Sequence, residues 1–210
     1  EPTGALYGLS TMLMKIIKDL KPDHVVAAYD LPGPTHRHEV YKEYKGKRPE
    51  LDSSLIVQIN RSRDMLTAFG IPIYEVPGFE ADDVIGTIAS TAKKNFDVII
   101  ASGDMDTLQL VDDERVRVFT LRKGIQDTIL YDEKAVFDRF SFLPARIPDY
   151  KGFAGDPSDN IIGIPGIGEK TATNLLKAFD SMEEVFKAVH NKKRTLDDWK
   201  KIGISERACS

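Results

Sequence analysis

Eight acidic residues fall at positions where a parallel α/β sheet presents a ligand site, at the ends of strands or at the helix starts that follow them. Histidine and cysteine are missing from these groups. Sites built only from hard oxygen ligands suit Mg²⁺ or Mn²⁺ and not zinc. The chain therefore contains a candidate divalent-metal site. Its residues form four groups, namely Asp30, then Glu80, Asp82 and Asp83, then Asp104 and Asp106, and last Asp156 and Asp159.

Carboxylates gathered this closely would repel one another unless cations held them together. Two metal ions about 3.5–4 Å apart are the usual arrangement for phosphodiester cleavage. Each group alone has a simpler explanation: acids in a first helical turn complement the helix dipole, Asp30 could form a turn, and residues 155–160 could be an ordinary loop. Because the four groups occur together, the metal site is the favoured interpretation.

A basic segment with interleaved tyrosines spans residues 36–48. It has no clean apolar face, so we predict a mobile or solvent-facing helical excursion that could contact phosphate groups. The alternative is a charged surface helix without a binding role. The candidate residues of this segment are Arg37, Lys42, Tyr44, Lys45, Lys47 and Arg48.

A glycine-rich turn occupies residues 163–168 and lies between predicted helices. It is not a Walker loop, because Lys170 comes one place too late, and it does not follow a strand as a dinucleotide fingerprint does. Its backbone N–H groups and the helix N-terminus that follows could bind a phosphate. A plain helix connector is the alternative. The candidate residues are Gly163, Gly166, Gly168, Lys170 and Thr171.

The elements that must position these residues alternate between strand and helix up to about residue 140. Strands are predicted at 24–29, 71–76, 96–101, 115–121 and 127–131. This order predicts an α/β fold with a mostly parallel sheet covered by helices on both faces. The remainder is predicted to be helical, with three short helices after the glycine turn. We therefore divide the chain into a core, residues 1–143, and a helical region, residues 144–210.

Composition limits the classes of protein to consider. The 210 residues, 41% of them hydrophobic, are enough for one compact body and exclude a disordered chain. We find neither an apolar run long enough for a membrane helix nor a signal peptide, so a cytoplasmic location is expected. The single cysteine, Cys209, excludes a disulfide framework. The net charge of −4 argues against nucleic-acid binding, but setting the eight acids aside as metal-bound makes the balance positive.

Several of these motifs occur in the order typical of bacterial 5′–3′ exonucleases. The chain resembles the N-terminal nuclease domain of bacterial DNA polymerase I, in the flap endonuclease superfamily, over nearly its whole length. The motifs that carry the resemblance are Tyr29-Asp30, His36-Arg37-His38-Glu39, Tyr44-Lys45-Gly46-Lys47-Arg48, Glu80-Ala81-Asp82-Asp83, Ser102-Gly103-Asp104-Met105-Asp106, Gly155-Asp156-Pro157-Ser158-Asp159-Asn160 and the glycine turn that continues to Thr171.

The resemblance implies a PIN-like core, a helical arch at residues 34–50 and a helix-hairpin-helix region of the H3TH type. It implies two divalent ions, Mg²⁺ or Mn²⁺. The first would be held by Asp30, Glu80, Asp82 and Asp104, the second by Asp106, Asp156 and Asp159, and Asp83 would support both. Lys45 and Arg48 would contact the scissile phosphate as catalytic residues. The glycine hairpin would hold the duplex backbone and could bind K⁺ through its carbonyl groups.

The implied activity is that of a structure-specific 5′–3′ exonuclease and 5′-flap endonuclease, acting in replication, where it removes RNA primers, and in repair. One metal ion would activate a water and the other would stabilise the leaving 3′ oxygen. The implied partners are DNA with a 5′ flap or 5′ end and a fused polymerase in the full-length protein. We expect a monomer.

The chain departs from the family pattern at its beginning. Members of the family start with a strand that ends in an Asp-Gly-Asn type motif, whereas Glu1-Pro2-Thr3-Gly4 resembles the sequence just after it. We therefore expect a truncated N-terminus. A catalytically impaired, structure-specific DNA-binding fragment and a PIN-type ribonuclease remain alternatives, and the glycine hairpin favours DNA over RNA.

Overall fold

The computed structural model describes residues 2–113, 115–123, 127–191 and 195–204. Cys209 lies outside these ranges. Within them, no helix combines the length and the apolar character that crossing a bilayer would require.

The helices follow the predicted order along the chain. The first helix ends at Leu20 and is followed by the left-handed Lys21 and by Pro22. The helix that begins at Ser53 is capped by Asp52, whose side chain accepts the N–H of Ser54. The α-helices are α1 (Gly4–Leu20), α2 (His36–Val40), α3 (Ser53–Ala68), α4 (Ala81–Ala92), α5 (Glu133–Phe140), α6 (Ile147–Ala154), α7 (Glu169–Ala178), α8 (Met182–His190) and α9 (Leu196–Lys201). Short 3₁₀-helices span Met105–Leu110, Pro144–Arg146 and Pro157–Asp159.

The strands form two small sheets. β1 (Ala27–Ala28) and β2 (Ile73–Tyr74) pair in parallel. β3 (Val98–Ala101) pairs in parallel with β4 (Val116–Lys123), which pairs antiparallel with β5 (Asp127–Tyr131). Helix α4 contacts both β1 and β3 and so connects the two sheets.

The α/β class with a mostly parallel sheet is confirmed, and its described strands are divided between two small sheets. Among the described residues, β1 pairs only with β2, whereas β3, β4 and β5 form the second sheet. The first two strands are also shorter than predicted. Pro72 and Pro77 flank β2 and supply no N–H donor, which limits the ladder to a few bonds such as the one from Ala27 N to the Pro72 carbonyl.

The main hydrophobic core extends across the predicted boundary at residues 143 and 144. Leu108 and Val136, from the first part, and Phe153 and Ala172, from the second, are fully buried members of one cluster. A smaller cluster of Leu13, Leu66 and Ile71 packs α1 and α3 against the first sheet. Because one core joins both parts, the 3₁₀-helix Met105–Leu110 is held against α6, and the acids beside these elements are brought together.

Gly163 allows a close backbone contact next to those acids. A Cβ atom on Gly163 would lie 2.5 Å from the carbonyl oxygen of Phe153 and also against the backbone of Gly155. Gly155 itself has a left-handed φ of 81°. Gly168, in contrast, has open space where a Cβ would be. The first glycine of the hairpin therefore serves packing. Its role in phosphate binding stays a prediction.

We predict that Gly163→Ala destabilises the chain by about 2 kcal/mol because the added methyl meets backbone that cannot move aside. Gly168→Ala is the matched control, and it should lower the free energy of unfolding by less than about 1 kcal/mol, because it meets open space and only replaces glycine by a weaker N-cap residue. Urea unfolding followed by circular dichroism measures both. Equal stabilities for the two variants would contradict the packing role of Gly163.

Candidate active site

Three acids from distant parts of the chain converge. Three carboxylate oxygens lie within 4.8 Å of one another, one from each of Asp106, Asp156 and Asp159. Asp106 stands in the first turn of the 3₁₀-helix Met105–Leu110, while Asp156 caps the helix that Asp159 ends. A set of three carboxylate oxygens fits a hard divalent cation such as Mg²⁺. We call these residues the three-carboxylate cluster.

The other predicted metal ligands lie beside this cluster without forming a second group of the same tightness among the described residues. Asp30 follows β1, and its Oδ1 accepts a hydrogen bond of 2.6 Å from the N–H of Ala81. Glu80 is the N-cap of α4. Asp104 accepts from the N–H of Asp106 at 2.9 Å. These acids thus stand at a strand end and at two helix starts, as predicted.

The acids are close enough to shift one another's protonation. Burial, followed by the negative charges of Asp104 and Asp30, raises the pKa of Asp82 to about 6. Burial also raises the pKa of Asp106, with Asp104 and Asp156 adding to the effect. Such repulsion is what a bound cation would relieve.

Cationic side chains neutralise the acids in the structure. The Lys45 ammonium lies 2.9 Å from Oε1 of Glu80. Arg48 contacts Oδ1 of Asp159 at 2.6 Å. These two residues, predicted to contact the scissile phosphate, therefore lie directly at the carboxylates.

Lys151 is a site residue that sequence reasoning missed. Its ammonium contacts Asp106 and lies 2.6 Å from Oδ2 of Asp156. Burial would raise the pKa of Asp156, but hydrogen bonds from Lys151 and Ser158 lower it to about 2. The sequence feature that could have identified Lys151 is its position in the last turn of a helix, five residues before Asp156.

Tyr44 connects the two groups of acids and corrects one prediction. It was expected on an exposed DNA-contacting surface, but its side chain is buried. Its hydroxyl lies 3.1 Å from Oε2 of Glu80 and 2.9 Å from Oδ2 of Asp159, close enough to donate to either. Burial, and then the hydrogen bond to Asp159, raise its pKa, so the phenol stays protonated. Tyr44 therefore positions carboxylates and is not available to DNA.

The basic segment makes polar contacts with the loop that carries Asp159. Only α2 is helical, and the turns that follow fold onto the loop of Asp159. The N–H of Lys45 donates to the Asp159 carbonyl at 2.9 Å, and Asn160 donates from its side chain to the Glu43 carbonyl at 2.8 Å. Polar side chains, and not an apolar face, therefore attach the segment to the rest of the molecule, and most of its residues face solvent. Lys42 and Lys47 remain exposed.

Arg37 and Asp83, predicted to contact DNA and to support the metal ions, form an ion pair. The guanidinium donates to both carboxylate oxygens of Asp83, at 2.7 Å each, and the N–H of Glu80 also donates to Asp83, at 3.0 Å. The hydrogen bonds from Arg37 hold the pKa of Asp83 down at about 2. In this structure Asp83 therefore caps α4 and is bound to Arg37, and its support of the metal ions stays a prediction.

The later part of the glycine hairpin is exposed. Gly166 has a left-handed φ of 86°, which a turn here requires, and Gly168 is the N-cap of α7. Lys170 is exposed and Thr171 is half-buried in the first turn of that helix. The free N–H groups and positive dipole end of α7 are therefore open to an anion.

Two family models match the chain. The model described as the N-terminal resolvase-like domain of 5′-3′ exonucleases matches residues 1–141, and the model of their C-terminal SAM fold matches residues 142–204. DNA polymerase I of Bacillus subtilis is 44% identical over 188 residues, which is 89% of this chain and 21% of that protein. A 5′-3′ exonuclease of Aquifex aeolicus is 42% identical over 187 residues, covering 89% of this chain and 63% of that protein. The chain thus spans about a fifth of the first relative and under two thirds of the second.

Solved structures show the same fold. A T5 5′-exonuclease with bound zinc superposes with a TM-score of 0.74 at 22% identity, covering 100% of this chain and 79% of that one. A bacteriophage T5 flap endonuclease variant in a complex with DNA and metal ions gives 0.73 at 22% identity, covering 100% and 78%. The predicted nuclease-type α/β fold is therefore confirmed.

The Asp83 pair leads to a pH-dependent prediction. The pKa of Asp83 is lowered to about 2 in the folded chain. The contribution of Asp83 to the free energy of unfolding is therefore complete above about pH 5 and is lost as the pH falls toward 2. Asp83→Asn should lower the free energy of unfolding by about 1–2 kcal/mol at pH 7 in EDTA, and by less at pH 3. Urea titrations at both pH values measure this.

Asp138→Asn is the control, since Asp138 pairs with Lys134 on the exposed surface. It should change stability by less than about 0.5 kcal/mol. If Asp83→Asn were as stable as Asp138→Asn at pH 7 but bound Mn²⁺ poorly, Asp83 would be a metal ligand after all.

Proposed function

Because the chain belongs to the 5′-3′ exonuclease family, we propose that it hydrolyses DNA phosphodiesters as a structure-specific 5′–3′ exonuclease and 5′-flap endonuclease. The observation that carries this proposal is the three-carboxylate cluster. Asp106 lies in the part matched by the N-terminal family model, and Asp156 and Asp159 lie in the part matched by the C-terminal model. Both parts of the family are needed to form it.

The proposed cofactors are two divalent ions, Mg²⁺ or Mn²⁺. The three-carboxylate cluster would hold one ion, and Asp30, Glu80, Asp82 and Asp104 would hold the other. When bound, such ions supply an activated water and stabilise the leaving oxygen. The oxygen-only donors support this choice of metals. A K⁺ ion at the glycine hairpin is proposed on the family resemblance alone.

Lys45 and Arg48 are proposed to act on the phosphate that is cut. Both cations already lie at the carboxylates, through Glu80 and Asp159, so a phosphate approaching the acids comes within their reach. Positive charge fixed there would offset negative charge that develops during hydrolysis. Tyr44 keeps Glu80 and Asp159 oriented from the buried side.

The proposed substrate is DNA with a 5′ end or 5′ flap, including DNA that carries an RNA primer. Exposed Lys42, Lys47 and Lys170 and the open N-terminus of α7 would contact backbone phosphates, which carry no sequence information. A fused polymerase in the full-length protein, a cytoplasmic location and a monomeric state are further proposals that rest on the family.

A cleavage assay tests the proposal directly. The chain is mixed with Mg²⁺ and either a 5′-flap DNA or an all-RNA hairpin, with EDTA as the control. We expect short 5′ products from the flap only, and only with Mg²⁺. Binding without products would indicate a DNA-binding fragment, and preferential cleavage of the hairpin would indicate a ribonuclease.

We predict that Asp104→Asn abolishes cleavage while flap binding stays within about tenfold, since the change removes a charge at the metal site and no phosphate contact. Asparagine caps a helix start as well as aspartate does, so the 3₁₀-helix should persist. Single-turnover cleavage and fluorescence anisotropy give the two readouts, with Asp138→Asn as the control. Unchanged turnover would exclude the two-metal interpretation.

Lys45→Ala should slow the single-turnover chemical step by more than about tenfold with only a modest loss of affinity. Lys42→Ala is the matched control from the same segment. It should leave the chemical rate intact and make the salt dependence of binding slightly shallower. A Lys45→Ala rate equal to that of the unchanged chain would remove Lys45 from the catalytic residues.

A further inference from the structure

Lys151 is held by two members of the three-carboxylate cluster. Its ammonium contacts Asp106 and lies 2.6 Å from Oδ2 of Asp156, and its side chain is 31% exposed. Its backbone is fixed, because the Lys151 carbonyl accepts the N–H of Gly155 at 2.8 Å. Any movement of the ammonium away from the acids must therefore come from the side chain alone.

The charges around the cluster match those of a divalent ion. Three carboxylates carry three negative charges, and Lys151 together with Arg48 supplies two positive charges. An ion bound there with both cations in place would make the group net positive. It would also compete with Lys151 for oxygens of the same two acids. Occupation by Lys151 and occupation by a metal ion are thus opposed both by contact and by charge.

We propose that Lys151 is a displaceable counter-ion that competes with the divalent ion for Asp106 and Asp156. This inference rests on the proposed function. A lysine suits the role because its ammonium is a compact charge on a flexible stem, whereas a guanidinium would bind the carboxylates in a fixed planar geometry. Lys151 keeps the acids together while the site holds no metal, and it lowers the affinity of the cluster for metal.

Two consequences of this role have opposite signs. Removing the ammonium leaves Asp106 and Asp156 without their cation, so the metal-free chain becomes less stable. The same change removes a competitor, so the cluster binds a divalent ion more tightly. A lysine that only supports the fold would, when removed, weaken both stability and metal binding.

The test compares Lys151→Met with the unchanged chain. Mn²⁺ affinity is measured from the paramagnetic resonance signal of free Mn²⁺, and thermal unfolding is measured in EDTA. We expect Mn²⁺ to bind about fivefold more tightly, while the melting temperature in EDTA falls by about 3 °C or more. Lys134→Met is the control, because Lys134 pairs with Asp138 on the exposed surface and should change neither quantity.

Further variants separate the outcomes. Adding Asp159→Asn to Lys151→Met should remove the gain, which assigns it to this cluster. If Lys151→Met does not fold, Lys151→Gln is neutral, keeps a donor and should shift both quantities in the same directions. If the unchanged chain binds Mn²⁺ and the neutral variant binds it equally or more weakly, the inference about Lys151 is wrong, but the proposed function is not affected. No Mn²⁺ binding by any variant or by the unchanged chain overturns the proposed function as well.

Discussion

Electrostatic repulsion among carboxylates, added to their partial removal from water, governs how this site is built. Burial, followed by the negative charges of Asp104 and Asp30, raises the pKa of Asp82 to about 6. Lys45, Arg48 and Lys151 each lie within contact distance of an acid and relieve the repulsion. Cations accompany several of the gathered acids, among them Glu80, Asp156 and Asp159. In the proposed function these side-chain cations give way to metal ions or turn toward a phosphate.

The backbone brings the acids together through a small number of close contacts. Asp106 and Asp156 come from elements that share one hydrophobic core, in which Leu108 and Phe153 are fully buried. Gly163 lets the hairpin backbone approach the end of α6, next to Asp156. The active site and the proposed DNA-contacting hairpin therefore depend on the same packing. Substitutions at this junction should affect folding before they affect chemistry.

The sequence predicted the local features well and the long-range pairings poorly. Strand ends and helix starts are encoded by apolar runs and caps, so the positions of Asp30 and Glu80 could be predicted from nearby residues. Three side-chain contacts could not be predicted in this way. The burial of Tyr44, the binding of Asp83 by Arg37 and the insertion of Lys151 between two acids all depend on tertiary contacts. The division of the strands between two small sheets could not be predicted either, because strand patterns do not specify which strands become neighbours.

Anomalous scattering from crystals of the chain soaked in Mn²⁺ shows whether the three-carboxylate cluster binds a metal ion. We expect a manganese peak bounded by Asp106, Asp156 and Asp159, with the Lys151 ammonium withdrawn from at least one of its two acids. We also expect a second peak near Asp82. The opposite result is a soaked crystal that has no peak at the three-carboxylate cluster and in which Lys151 still contacts both Asp106 and Asp156. That result would contradict the claim that this cluster is a metal site.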